Sequence, residues 1–100
     1  MKLLSKYSLA LVLLVVGANV SAGDPEAGKA KAALCAACHG ADGISLADIW
    51  PNLKGQKEGY LVKQIKAFRD GERIDASMQP MVANLTDEDV ENLAAYYSGL

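Results

Sequence analysis

The chain is short of the residues from which most active sites are assembled. Its 100 residues include one histidine, two cysteines, one tryptophan and one phenylalanine. With a single histidine, conventional hydrolytic catalysis has little to work with, because a base and its orienting partner are both needed. No Ser-His-Asp arrangement and no phosphate-binding loop can be drawn from it. Residues 23–100 hold only eight Val, Ile or Thr, too few for an ordinary sheet. A basic cluster is missing as well. After residue 22, eight Lys/Arg stand against twelve Asp/Glu, a formal net charge of −4. That balance argues against nucleic-acid binding, which depends on phosphate neutralisation. A chain of this length makes one domain at most, so multidomain enzymes, transmembrane transporters and nucleotide-binding folds are excluded.

Acidic residues are absent from positions 1–22, where Lys2 and Lys6 precede an uncharged apolar stretch at 8–18. Val20, Ser21 and Ala22 then place small residues at −3 and −1 of a cleavage point before Gly23, the pattern of a secretory signal peptide. A membrane anchor is the competing reading. Crossing roughly 30 Å of hydrocarbon takes about 20 apolar residues, and this stretch is about half that. The expectation is therefore a cleaved signal peptide at 1–22, a domain at 23–100 in the periplasm, and no permanent membrane span after cleavage.

A folded segment of that size buries only about 60% of its unfolded surface and is marginal. Small exported domains usually compensate with several disulfides, a metal or a cofactor. A bridge between Cys35 and Cys38 would close too small a loop to constrain the unfolded chain much. Helical signals dominate elsewhere. Asp24 followed by Pro25 reads as an N-cap and first helical residue, opening a helix through 26–36. In 59–70, Leu61, Ile65 and Phe68 share one face, with Gly71 as the stop. Thr86 with Asp89 resembles a capping box, after which Val90, Leu93, Ala94 and Tyr97 line one face. Residues 39–57 and 72–85 read as loops.

Cys35-Ala36-Ala37-Cys38-His39 is the C-x-x-C-H attachment pattern of c-type haem. Two thiols at this spacing can reach the two vinyl groups on one porphyrin edge, and the adjacent imidazole then falls beneath the iron. A thioredoxin-like dithiol also uses C-x-x-C, but it belongs near a βαβ unit. A structural zinc site wants four ligands, whereas Cys35, Cys38 and His39 supply three. With His39 on one side of the iron, a thioether opposite it would favour the ferrous state and raise the potential, as in electron-transfer cytochromes. After residue 22 the methionines are Met78 and Met81, and spacing alone barely separates them.

These segments together resemble the class I c-type cytochromes, in particular their small monohaem bacterial branch. The resemblance rests on residues 35–43, 50–56, the helix opening near 59, and 78–97, and it covers essentially all of 23–100. It implies an all-α cytochrome c fold of three to four short helices around one covalent haem. It implies Met78, eight residues before Thr86, as the sixth iron ligand, with Met81 the fallback. It also implies that the Pro51 carbonyl accepts a hydrogen bond from the His39 ring. Such a contact fixes ring orientation and increases ligand basicity. Leu34, Leu61, Ile65, Leu93 and Tyr97 are expected to bury the ring. Trp50 packs near it or serves as plain core, and Arg69 and Arg73 approach a propionate or remain ordinary solvated charges.

The function so implied is a periplasmic electron shuttle cycling one electron between Fe(II) and Fe(III), not an enzyme. Its donor would be a membrane quinol-oxidising complex or a dehydrogenase, its acceptor a terminal oxidase or reductase. The alternative is a haem subunit bound permanently to a periplasmic dehydrogenase or another redox enzyme. A third reading, a ligand-binding haem protein with a displaceable Met78, predicts ready carbon monoxide binding. One departure from the family matters. The chain is net acidic, whereas some relatives present a lysine ring, so partners inferred from basic members do not transfer, because encounter follows complementary potentials.

Overall fold

The computed structural model describes residues 23–100; the expected signal peptide at 1–22 lies outside them. Five helical segments follow one another: α1 (Pro25–Lys31), α2 (Ala33–His39), α3 (Glu58–Asp70), α4 (Met78–Val82) and α5 (Asp87–Ser98). No strand occurs among the described residues. No described helix is long and apolar enough to cross a membrane.

The first helix starts as its sequence dictates. Asp24 accepts a hydrogen bond from the Glu26 N–H at 2.9 Å, and Pro25 occupies the first turn, where its missing N–H costs nothing. The single helix expected over 26–36 is divided at Ala32, whose ψ of −8° opens the ladder. The Ala32 carbonyl is shared by the N–H groups of Cys35 (2.9 Å) and Ala36 (3.0 Å). Neither glycine nor proline marks this break, so local propensity could not foretell it; Ala32 is instead buried against the core.

Helix α1 packs on α5, and α5 also receives α3. The α1 contact is close because Gly28 carries no side chain: a Cβ there would lie 1.9 Å from the Asn92 carbonyl oxygen. Beside it Asn92, itself buried, accepts a hydrogen bond from the Asp24 N–H at 2.7 Å. Ala32, Leu61, Leu93, Ala94 and Tyr97 form the core cluster, with Ile65 and Cys35 against its edge. On α5 the inward face is Val90, Leu93, Ala94 and Tyr97, all buried, as the spacing requires.

Two more segments hold the frame. The Thr86 hydroxyl accepts from the Asp89 N–H, and the Asp89 carboxylate accepts from the Thr86 N–H, each at 3.0 Å. The expected loop at 72–85 contains a turn and a half of helix, α4. Pro80 is the third residue of α4, inside the first turn, whose N–H groups have no intrahelical partner in any case.

Two outcomes test this frame. Gly28→Ala should lower stability to denaturant by about 1–3 kcal/mol, the usual cost of overpacking, or prevent folding. The Thr86 backbone N–H, aided by the Lys31 ammonium, holds the Asp89 carboxyl below its ordinary 3.8. A depressed folded-state pKa gives stability that is present above the unfolded value and lost as pH falls through the folded one. Asp89→Asn should therefore unfold more easily than the parent protein at neutral pH, the gap narrowing below about pH 4 in thermal melts at stepped pH.

Candidate haem site

Cys35 and Cys38 stand three positions apart on α2 and so share one face of that helix. Both thiols are free and half-buried. Burial pushes the Cys35 thiol up from its ordinary 9.0, a shift only partly offset by its contact with the Tyr97 hydroxyl. The Tyr97 phenol is raised in turn, first by its own burial and then by Cys35.

His39 ends α2 and is 7% exposed. The next residue makes the site possible. Gly40 adopts φ 86° and ψ 151°, close to a region reserved almost wholly for glycine. A Cβ at Gly40 would lie 1.8 Å from the Ile44 carbonyl oxygen. The chain therefore doubles back over the end of α2, where the Leu46 N–H meets the Cys38 carbonyl at 3.3 Å. Asn52 accepts from the Ser45 N–H at 2.8 Å and braces the returning loop. Its far end brings the Pro51 carbonyl to 2.8 Å from Nδ1 of His39. A carbonyl only accepts, so Nδ1 carries the proton and Nε2 is left with the lone pair.

This chemistry fits an iron porphyrin. One imidazole is oriented with its lone pair outward, beside two thiols on one helical face. Ile44, Leu46 and Ile49 on the returning loop are exposed apolar side chains. A bare metal ion is served poorly: among the described residues no three His, Cys, Asp or Glu side chains converge as ligands.

The two methionines ride together on α4, which packs on α3, whereas α2 packs on α1. The two candidate ligand-bearing turns thus belong to different parts of the helical frame, and α5 joins those parts. Met78 is half-buried, while Met81 is 45% exposed. Of the side chains expected to enclose the ring, Leu61, Leu93 and Tyr97 are in the core and Ile65 packs against it. Leu34 is 60% exposed instead, since it lies about 100° around α2 from the inward-facing Cys35. Trp50 is half-buried in the returning loop. Arg73 lies over the Phe68 ring at 4.5 Å and donates to Gln64 at 2.7 Å. Arg69 donates to Asp70 at 2.9 Å, to Asp87 at 2.8 Å and to the Leu85 carbonyl at 3.2 Å. Both arginines are therefore engaged within the protein.

One residue near Met78 escaped sequence reasoning. Asp75 Oδ1 accepts from the N–H groups of Ser77 (2.8 Å) and Met78 (3.0 Å). Its only advance signal is an aspartate two residues before a serine, the spacing of an Asx turn.

Sequence and structural relatives place this geometry in a known class. The family profile described as cytochrome c matches residues 25–100, and the chain belongs to the cytochrome c family. These are electron-transfer proteins, not enzymes, and the cofactor is covalently bound haem c. Cytochrome c4 of Pseudomonas aeruginosa is 48% identical, over 91% of this chain and 45% of its own length. Cytochrome c-554(548) of Halomonas halodenitrificans is 54% identical, over 77% of this chain and 96% of its own length. The crystal structure of reduced recombinant cytochrome c4 from Pseudomonas stutzeri superposes with a TM-score of 0.73 at 44% identity, covering 77% of this chain and 45% of that one. The chain thus spans about half the length of the cytochromes c4 it matches and nearly all of the cytochrome c-554(548).

The positive φ at Gly40 supplies a test. Gly40→Ala should disturb the return of the loop to His39, at a backbone cost of about 1–3 kcal/mol. The expected result is a reduced yield of haem-loaded protein, measured by visible absorption against total protein, and a lower melting temperature.

Proposed function

We propose that this chain is a periplasmic one-electron carrier whose haem is tethered through Cys35 and Cys38, with the iron held between His39 and Met78. The observation that carries the reading is the buried His39 ring, with Nδ1 committed to Pro51 and Nε2 free to ligate, immediately after the two thiols. Residues 1–22 act as the export signal, and 23–100 are the haem domain. Haem supplies the Fe(II)/Fe(III) couple. The protein's part is to hold and shield it. His39 is kept in one tautomer and one orientation by the Pro51 carbonyl, which makes the imidazole a stronger donor. Met78, as the second protein ligand, would supply a thioether, which favours the ferrous state. His39 and Met78 would both hold the group in either oxidation state, which would keep the reorganisation on electron transfer small. Leu61, Leu93 and Tyr97, with Ile65 packed against them, form the buried apolar core behind the attachment helix.

Met78 is favoured over Met81 by its partial burial and by its place eight residues before the Thr86 cap. The donor is a membrane quinol-oxidising complex or a dehydrogenase, and the acceptor is a terminal oxidase or reductase. Each is met in a brief, small-area encounter of the kind redox partners use.

The oxidised protein should show the weak far-red charge-transfer band of a thioether on ferric haem. Met78→Ala should abolish that band and Met81→Ala should keep it; the reverse pattern would assign Met81. A purified, exported chain that is colourless yet compactly folded would overturn the reading.

A further inference from the structure

We infer that Asp75 is the positioning residue for Met78: its carboxylate and carbonyl hold the turn that presents the thioether. This inference rests on Met78 being the sixth ligand. The segment from Gly71 to Thr86 is fastened at both ends. At its start the N–H groups of Glu72 (2.9 Å) and Arg73 (3.0 Å) bond to the Ala67 carbonyl. At its end Arg69 on α3 grips the Leu85 carbonyl and Asp87. Between these fastenings the residue preceding α4, Ser77, contributes no side-chain cap. Asp75 does that work from two residues further back. One carboxylate oxygen takes the N–H groups of Ser77 and Met78. Its carbonyl takes the Gln79 N–H at 3.0 Å. Three consecutive backbone donors, with Met78 the middle one, therefore converge on one residue.

Charge-assisted bonds to backbone N–H groups are the stronger kind. Here they act on the Met78 backbone itself, so their loss acts on presentation of the sulfur before it acts on the helical frame. Met78 lies at the start of α4 and away from the α1–α5 packing. In the oxidised holoprotein, an external ligand can reach the iron only when Met78 leaves it. Binding of that ligand therefore reports how well the turn is held.

Imidazole is the probe, titrated into the ferric holoprotein and followed in the visible spectrum. Asp75→Ala should raise the apparent imidazole affinity about three- to tenfold, the range expected for a lost cap, and weaken the far-red band. Asp75→Asn keeps an acceptor oxygen in place but not the charge, and should give an affinity between those of the parent and Asp75→Ala. Asp75→Glu keeps the charge but moves the acceptor, and should resemble Asp75→Ala. Asp24→Ala is the control, because it removes an equivalent cap at α1, remote from Met78 in sequence. It should lower the melting temperature and leave imidazole affinity unchanged. An Asp75→Ala affinity within twofold of the parent's, or an equal rise in Asp24→Ala, would overturn the assignment of Asp75. Met78→Ala separates the two levels. If that variant retains the far-red band, the ligand reading fails and this inference fails with it. If it loses the band while Asp75→Ala behaves like the parent protein, this inference alone fails.

Discussion

Direct backbone-to-backbone contact between α1 and α5 is the constraint from which the rest of the arrangement follows. It exists because Gly28 has no side chain to hold the helices apart. Asn92 makes the contact tolerable, since its buried amide oxygen is satisfied by the Asp24 N–H. Burying a polar group unpaired would have cost more than the packing returned. With α1 seated, α2 leaves it at a fixed turn and carries both cysteines and the histidine. α3 then packs on another part of α5 and brings α4 with it. The helix that carries the cysteines and His39 and the helix that carries the methionines are thus joined through α5.

His39 shows how a small protein specifies an orientation with one hydrogen bond. The imidazole alone offers two equivalent-looking nitrogens. A carbonyl at Nδ1 removes the ambiguity, because it cannot donate. The carbonyl comes from Pro51, whose fixed φ stiffens the end of the returning loop. That loop in turn depends on the conformation of Gly40. The orientation of the His39 ring is therefore a property of twelve residues of irregular chain, held by a few local bonds.

Much of this was legible in advance because the informative residues act locally. Asp24-Pro25, Thr86 with Asp89, and the inward stripe of α5 each owe their conformation to neighbours within a turn or two. The C-x-x-C-H motif declares its chemistry through spacing, and the family resemblance supplied the Pro51 contact. What stayed hidden depends on distant parts of the chain. The break at Ala32 has no breaker residue and reflects burial against the core. The short helix α4 lay hidden in the expected loop at 72–85, since five residues give too little periodicity to announce a helix. Arg69 reaches eighteen residues along the chain to Asp87, and no periodicity announces such a contact. Asp75 lay between the two cases, with a recognisable turn spacing but no visible reason for it until Met78 was placed beside it.

Tyr97 occupies a position whose implications extend to how the molecule opens. Its ring is in the core, its hydroxyl touches the Cys35 thiol, and its carbonyl accepts from the Gly55 N–H at 2.9 Å. Three stretches distant in sequence thus meet at one residue of the last helix. Fraying at the end of α5 would loosen the attachment helix and the base of the long loop at the same moment. Breathing motions on that side should therefore open all three stretches together rather than one at a time.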